Sequence, residues 1–175
     1  MKTALYIIFP LITFAFISCE SSKDSKIEAN LALTSRYFSE VYGEDRIDLI
    51  DTLFTEDYDH IATDGRVIHN AAPLLKGVIH SLKTTYPGFH PEIEHVMADE
   101  EKVLYFVTFK GGLPENANPD TQADSIAYNE TLIFWVRDGK IYKARTAAAN
   151  FPLIKQVTGF EGSFNELIEV LNQSK

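Results

Sequence analysis

The chain of 175 residues has a single cysteine, Cys19, so it cannot close an internal disulfide. Its fold must rest on core burial, and Cys19 must be a free thiol, an intermolecular bridge or a modified residue. Basic residues are also scarce, 16 against 25 acidic ones, for a net charge of −9. Phosphate binding needs a basic surface, so nucleic acid is not an expected partner. The acidic residues are spread along the chain and give a self-repelling, soluble surface. There is no internal repeat, and no low-complexity stretch beyond a short polar segment at 20–26. No set of histidines and carboxylates has a recognised ligand spacing, so no metal is expected. His60, His69, Asp59 and Asp64 crowd one stretch, but strand alternation sends Asp59 and His60 to opposite faces. Asn116, Asn118, Asp120 and Asp124 lack the ordered spacing of a calcium loop, and that segment reads as solvated.

Long apolar runs are equally few, and the clearest is N-terminal. After Lys2, Ala4 to Ile17 is interrupted only by Pro10 and Thr13. It is too short to span a bilayer comfortably, so residues 1–18 read as a secretory signal. The closing "FISC" resembles a bacterial lipobox, which makes Cys19 the expected lipidation site and new N-terminus. Residues 19–26 are small, polar and charged and read as a flexible tether. The expectation is a domain over 27–175, exported to the bacterial cell envelope and held at a membrane by its N-terminal lipid.

Within that domain, Leu31, Leu33, Tyr37, Phe38, Val41 and Tyr42 recur at helical spacing, and Gly43 ends the run. "DRIDLIDTLFT" predicts a second short helix with Ile47, Ile50, Leu53 and Phe54 on one stripe. "DYDHIA" predicts a strand that puts Tyr58 and His60 on one face, Asp57 and Asp59 on the other. A third helix is predicted over about 70–85, with Asn70 as cap, Pro73 in the first turn, and Leu74, Leu75, Val78, Ile79 and Leu82 buried. Four β-rich runs follow, the last two joined by Asp138-Gly139, a strong hairpin signal. A closing amphipathic helix is predicted over about 163–171. Antiparallel strands apolar on both faces need both covered. The N-terminal helices cover one face, and a second copy, giving a homodimer, is expected on the other. A pocket is expected between curved sheet and helices, with a small molecule as its partner.

"YFSEVYGEDRIDLIDTLFTEDYDH" (37–60), "YPGFHPEIEHVMADEEKVLYFVTFKG" (86–111) and "VRDGKIYKA" (136–144) together resemble the SnoaL-like polyketide cyclase group of the nuclear-transport-factor-2-like superfamily. The resemblance implies an α+β fold, a cone-shaped curved antiparallel sheet packed with N-terminal helices. It further implies chemistry free of metal and cofactor, in which an aspartate moves a proton beside a carbonyl and a ring closes. That aspartate follows the last long strand and a tryptophan; here Arg145 and Asn150 stand near those two places. The expected function is therefore binding of a small apolar or aromatic molecule, with catalysis lost or altered. The alternatives are a metal-free cyclase, isomerase or hydratase using His60 and Glu130, or a protein-interaction module using the outer sheet face.

Glu130 lies in phase with Tyr128, Leu132 and Phe134, and a carboxylate in such an apolar row is costly to bury unless paired. It is the expected substitute for the missing aspartate, unless it pairs with Lys143 or Arg145 across the sheet. Tyr58, His60, Tyr105, Tyr128, Trp135, Arg145 and Asn150 are the expected pocket wall.

Overall fold

A computed structural model describes residues 20–115, 117, 124–148, 150–163, 166 and 169. Cys19 and the signal segment lie outside the described residues, as do most of the 116–123 loop and of the closing helix expected at 163–171.

The chain opens with α1 (Glu20–Arg36), which runs into a π-helical turn (Tyr37–Gly43), a short 3₁₀ turn (Ile47–Leu49) and α2 (Ile50–Leu53). The segment 20–26, expected as a flexible tether, is thus the start of α1. Its residues, Ser, Lys, Asp and Glu among them, tolerate a helix, and Lys23 pairs with Glu100 at 3.6 Å. Next come β1 (Phe54–Ile61), a two-residue β2 (Val67–Ile68), α3 (Ala72–Thr85), β3 (His90–Ala98), β4 (Lys102–Gly112), β5 (Ser125–Arg137), β6 (Lys140–Ala148) and α4 (Asn150–Thr158).

The sheet has six strands in the order β2-β1-β6-β5-β4-β3. The expected antiparallel meander, β3 to β6, is present, and β1 adds to it parallel to β6. Asp138 and Gly139 turn the β5–β6 hairpin with φ of 52° and 70°, the left-handed pair that this turn requires. On the inner face Val103, Tyr105, Val107 and Phe109 of β4 meet Ile126, Tyr128, Leu132 and Phe134 of β5, all buried. Tyr37, Phe38 and Tyr42 close over them, with Phe134 ringed by Tyr37, Phe38, Phe54 and Tyr105 at centroid distances of 5.3, 6.2, 6.5 and 6.0 Å.

Two expectations are corrected here, both on α3. Asn70 does not cap α3: it adopts φ +52°, Ala71 occupies the cap, and no side chain bonds there. On α3 only Ile79 is fully buried, while Leu74 and Val78 are 48% and 44% exposed, because they stand over a cavity rather than the core. Ile93 and Val96 of β3 are each 46% exposed, since β3 is the sheet edge and carries a bulge between Ile93 and His95. One helix was not expected: α4, whose Gln156 side chain bonds both the N–H and C=O of Ala127 on β5, at 2.7 and 2.8 Å.

Candidate functional site

β1, β5 and β6 turn their inner faces toward α3, and between them lies a cavity of about 140 Å³. Leu75 and Leu82 of α3 and Phe109 and Phe134 of the sheet make most of its wall apolar. Against that background sit Tyr37, Tyr42, Tyr58, His60, Tyr128 and Glu130.

Strand alternation puts Glu130 on the wall. It lies opposite Val107 on one side and Ala148 on the other, and neither neighbour offers a partner. The alternative partners face away: Lys143 lies opposite Trp135 and Arg145 opposite Ile133, on the outer face. Among the described residues Glu130 has no hydrogen bond and no ion pair. Burial alone therefore acts on it, and raises its carboxyl from the ordinary 4.5 to about 7. Such a group exchanges a proton readily at neutral pH.

His60 and Tyr58 arrive together from β1. The Tyr58 hydroxyl and His60 Nδ1 are 2.8 Å apart. Burial lowers the His60 pKa, so the ring is neutral at pH 7. Asp59, on the opposite face, meets His69 at 2.7 Å on the protein exterior.

Two further wall residues, Tyr37 and Tyr42, come from the N-terminal helix and were read in the sequence only as part of an apolar stripe. The π-helical turn, with its i→i+5 bonding, lines up residues five apart and brings the two hydroxyls to 3.5 Å. Lys83 of α3 fixes the turn by donating to the Tyr42 carbonyl at 2.7 Å and pairing with Asp45 at 2.9 Å. Burial holds the hydroxyls of Tyr42 and Tyr128 above their ordinary pKa, and the charge of Glu130 adds to it. The signal that could have found them was the tyrosines themselves, since a purely structural stripe has no need of hydroxyls.

Of the residues expected at the site, the structure brings Tyr58, His60, Tyr128 and Glu130 to one cavity. Tyr105 is not on the wall. It is buried against Phe38 and Phe134, and its hydroxyl lies 2.8 Å from Thr34 Oγ1. Trp135 and Arg145 are on the outer face, with the Lys143 ammonium 4.4 Å from the Trp135 ring. Asn150 begins α4, and its side chain lies outside the described residues.

No curated protein matches the sequence. Several solved structures share the fold. One, described as a SnoaL-like polyketide cyclase from Jannaschia sp. CCS1, superposes with a TM-score of 0.63 at 14% identity, covering 76% of this chain and 94% of its own. AclR of Streptomyces galilaeus, described as a hydroxylase, gives 0.65 at 15% identity, covering 84% and 92%. A Catenulispora acidiphila protein with a ketosteroid isomerase-like fold, in complex with trimethylamine, gives 0.57 at 14% identity, covering 71% and 91%. Identities this low establish the fold alone, and the first two are described by different chemistries on one scaffold. The SnoaL-like domain family matches residues 35–144, from the end of α1 into β6, and the chain belongs to that family.

Proposed function

We propose that this is an exported, lipid-anchored SnoaL-like domain whose cavity binds a small apolar or aromatic molecule and whose Glu130 moves a proton on it. The observation that carries the reading is Glu130 itself, a carboxyl set without a described partner in a mostly apolar cavity. Evolution seldom retains so costly a group for packing. The Glu130 carboxylate takes a proton from a carbon beside a carbonyl, leaving an enolate. Where a double bond adjoins that carbon the enolate is a dienolate, and the resulting acid returns the proton at its far carbon, so the product is an isomer and nothing else is consumed. Where the molecule carries a second carbonyl instead, the enolate carbon attacks it, the C=O π bond opens to an alkoxide, and the Glu130 acid protonates that oxygen as the ring closes. The position held by Asn150 contributes no carboxylate, so catalysis is altered in its placement rather than in its type.

Size limits the molecule. A dry cavity of about 150 Å³ holds one benzene. The cavity here, about 140 Å³, suits one ring and not a polycyclic one. Incubating the protein in D₂O with cyclohexanone and following loss of the proton signals beside the carbonyl by NMR tests the activity. Enhanced exchange over buffer is expected, and exchange at the buffer rate would remove the proton-transfer reading.

The anchor and the oligomer belong to the same proposal. The outer face shows Met97 59% and Phe106 36% exposed on neighbouring strands, and a second copy of the chain covers them. Native mass spectrometry of protein extracted from membranes in mild detergent reads both. Acyl mass on Cys19 and a two-copy species are expected; an unmodified Cys19, or a monomer alone, would remove the corresponding part.

A further inference from the structure

We propose that Tyr58 is a positioning residue that locks His60 as its Nε2–H tautomer, so that His60 presents a hydrogen-bond donor to the cavity and selects ligands bearing a carbonyl oxygen. The inference rests on the proposed function and adds to it the group that holds the carbonyl oxygen and the tautomer in which it does so.

Hydrogen-bond accounting carries the assignment. A tyrosine hydroxyl has one proton, and a neutral imidazole has one donor and one acceptor nitrogen. The Tyr58 hydroxyl and His60 Nδ1 are 2.8 Å apart, so one of them donates to the other. Tyr58 is 1% exposed, and among the described residues its hydroxyl has no other partner. Were Nδ1–H the donor, the hydroxyl proton would be left buried with nothing to accept it, which costs far more than a bond gains. The phenol is also the stronger acid of the two and its oxygen the poorer acceptor. Tyr58 therefore donates to Nδ1, and the imidazole proton resides on Nε2. Burial disfavours the imidazolium, in which both nitrogens would donate and Tyr58 would have to accept.

Nε2 has no partner among the described residues. It is also not sealed off, because the only described side-chain polar atom buried without a partner is Thr55 Oγ1. His60 lines the same cavity as Glu130. A neutral N–H donor and a carboxyl on one wall divide the work by chemistry. The carboxyl handles a proton on carbon, and the imidazole holds the oxygen on which charge develops. His60 is thus a donor at neutral pH and not a base.

The test uses the full chain labelled with ¹⁵N-histidine. Two-bond ¹H–¹⁵N spectra at neutral pH distinguish the tautomers directly. His60 is expected as Nε2–H in the wild type and as a mixture in Tyr58→Phe, a variant that keeps the ring against Phe54. Titrations with cyclohexanone and with methylcyclohexane, of similar shape but lacking the acceptor, supply the second readout. The ketone is expected to bind about tenfold tighter in the wild type, with most of that preference lost in Tyr58→Phe. An Nδ1–H resonance in the wild type, or equal binding of both compounds, overturns the proposal while leaving the cavity as a binding site. Failure of both compounds to bind overturns the cavity reading and this proposal with it.

Discussion

Glu130→Gln is expected to slow proton exchange beside a ketone carbonyl by about a hundred- to ten-thousand-fold, while the ketone still binds. Glutamine keeps the shape and the hydrogen-bonding reach of the side chain but cannot give or take the proton. The loss should therefore fall on turnover and not on affinity. Deuterium wash-in rates measured beside a binding titration separate the two. Equal rates in wild type and variant would place the chemistry on another group.

The same variant makes a thermodynamic prediction of opposite direction. In the unfolded chain Glu130 titrates near its ordinary 4.5, and in the folded protein near 7. Below the lower value both states carry the proton and its burial costs little. As pH rises between the two values, the unfolded chain ionises first, so the folded state loses relative stability. The loss is complete above the upper value and amounts to about 3 kcal/mol. Glu130→Gln removes this dependence. Urea unfolding at a series of pH values should show the variant gaining on the wild type from about pH 4.5 to 7 and holding a constant margin beyond. A margin independent of pH would mean that Glu130 is solvated and its cavity wet.

Phe134→Ala carries the second large effect, a loss of about 3–5 kcal/mol in unfolding free energy. Phe134 is 1% exposed and stands between the sheet and the N-terminal segment, with rings from Tyr37, Phe38, Phe54 and Tyr105 around it. Those four come from the π-helical turn, β1 and β4, so no single neighbour can move to fill the gap. Glu28→Ala at an exposed position of α1 should stay within about 0.5 kcal/mol as a control. A Phe134→Ala cost below about 1 kcal/mol would show a core that collapses freely around the site, against the packing described.

Much of this architecture was legible from periodicity. Alternation alone put Tyr58 with His60, and Tyr128 with Glu130, and both pairs line the cavity. Alternation would also have excluded Trp135, which is odd-numbered on β5, where the inner residues are even; on β6 a bulge separates the inner Ile141 from the inner Ala144, and Arg145 falls on the outer face beyond it. Of the two, Arg145 is placed on the expected wall by family likeness, near the position of the family's tryptophan. Tyr105 is on the correct face, but whether a residue there lines a cavity or fills the core depends on what lies above it. Thr34 of α1 takes its hydroxyl, and that long-range contact has no local signature. The exposure of Leu74 and Val78 has the same origin. A helix that covers a void and a helix that covers a core share one amphipathic pattern.

Tyr42 reaches the cavity through a matter of counting. A π-helical turn fits one more residue into a turn than an α-helix does, so the position of everything beyond it depends on chain length as well as on side-chain chemistry. Removing the exposed Ser39 and letting the segment relax into an ordinary helix would leave Tyr42 four residues from Tyr37, about 40° around the axis and still toward the wall. Relaxing the turn with every residue kept would instead leave them five apart, about 140° around, and swing Tyr42 off the wall. For this segment, a lost residue is tolerated and a lost turn is not, so the Lys83 contacts that hold the turn matter more than its length.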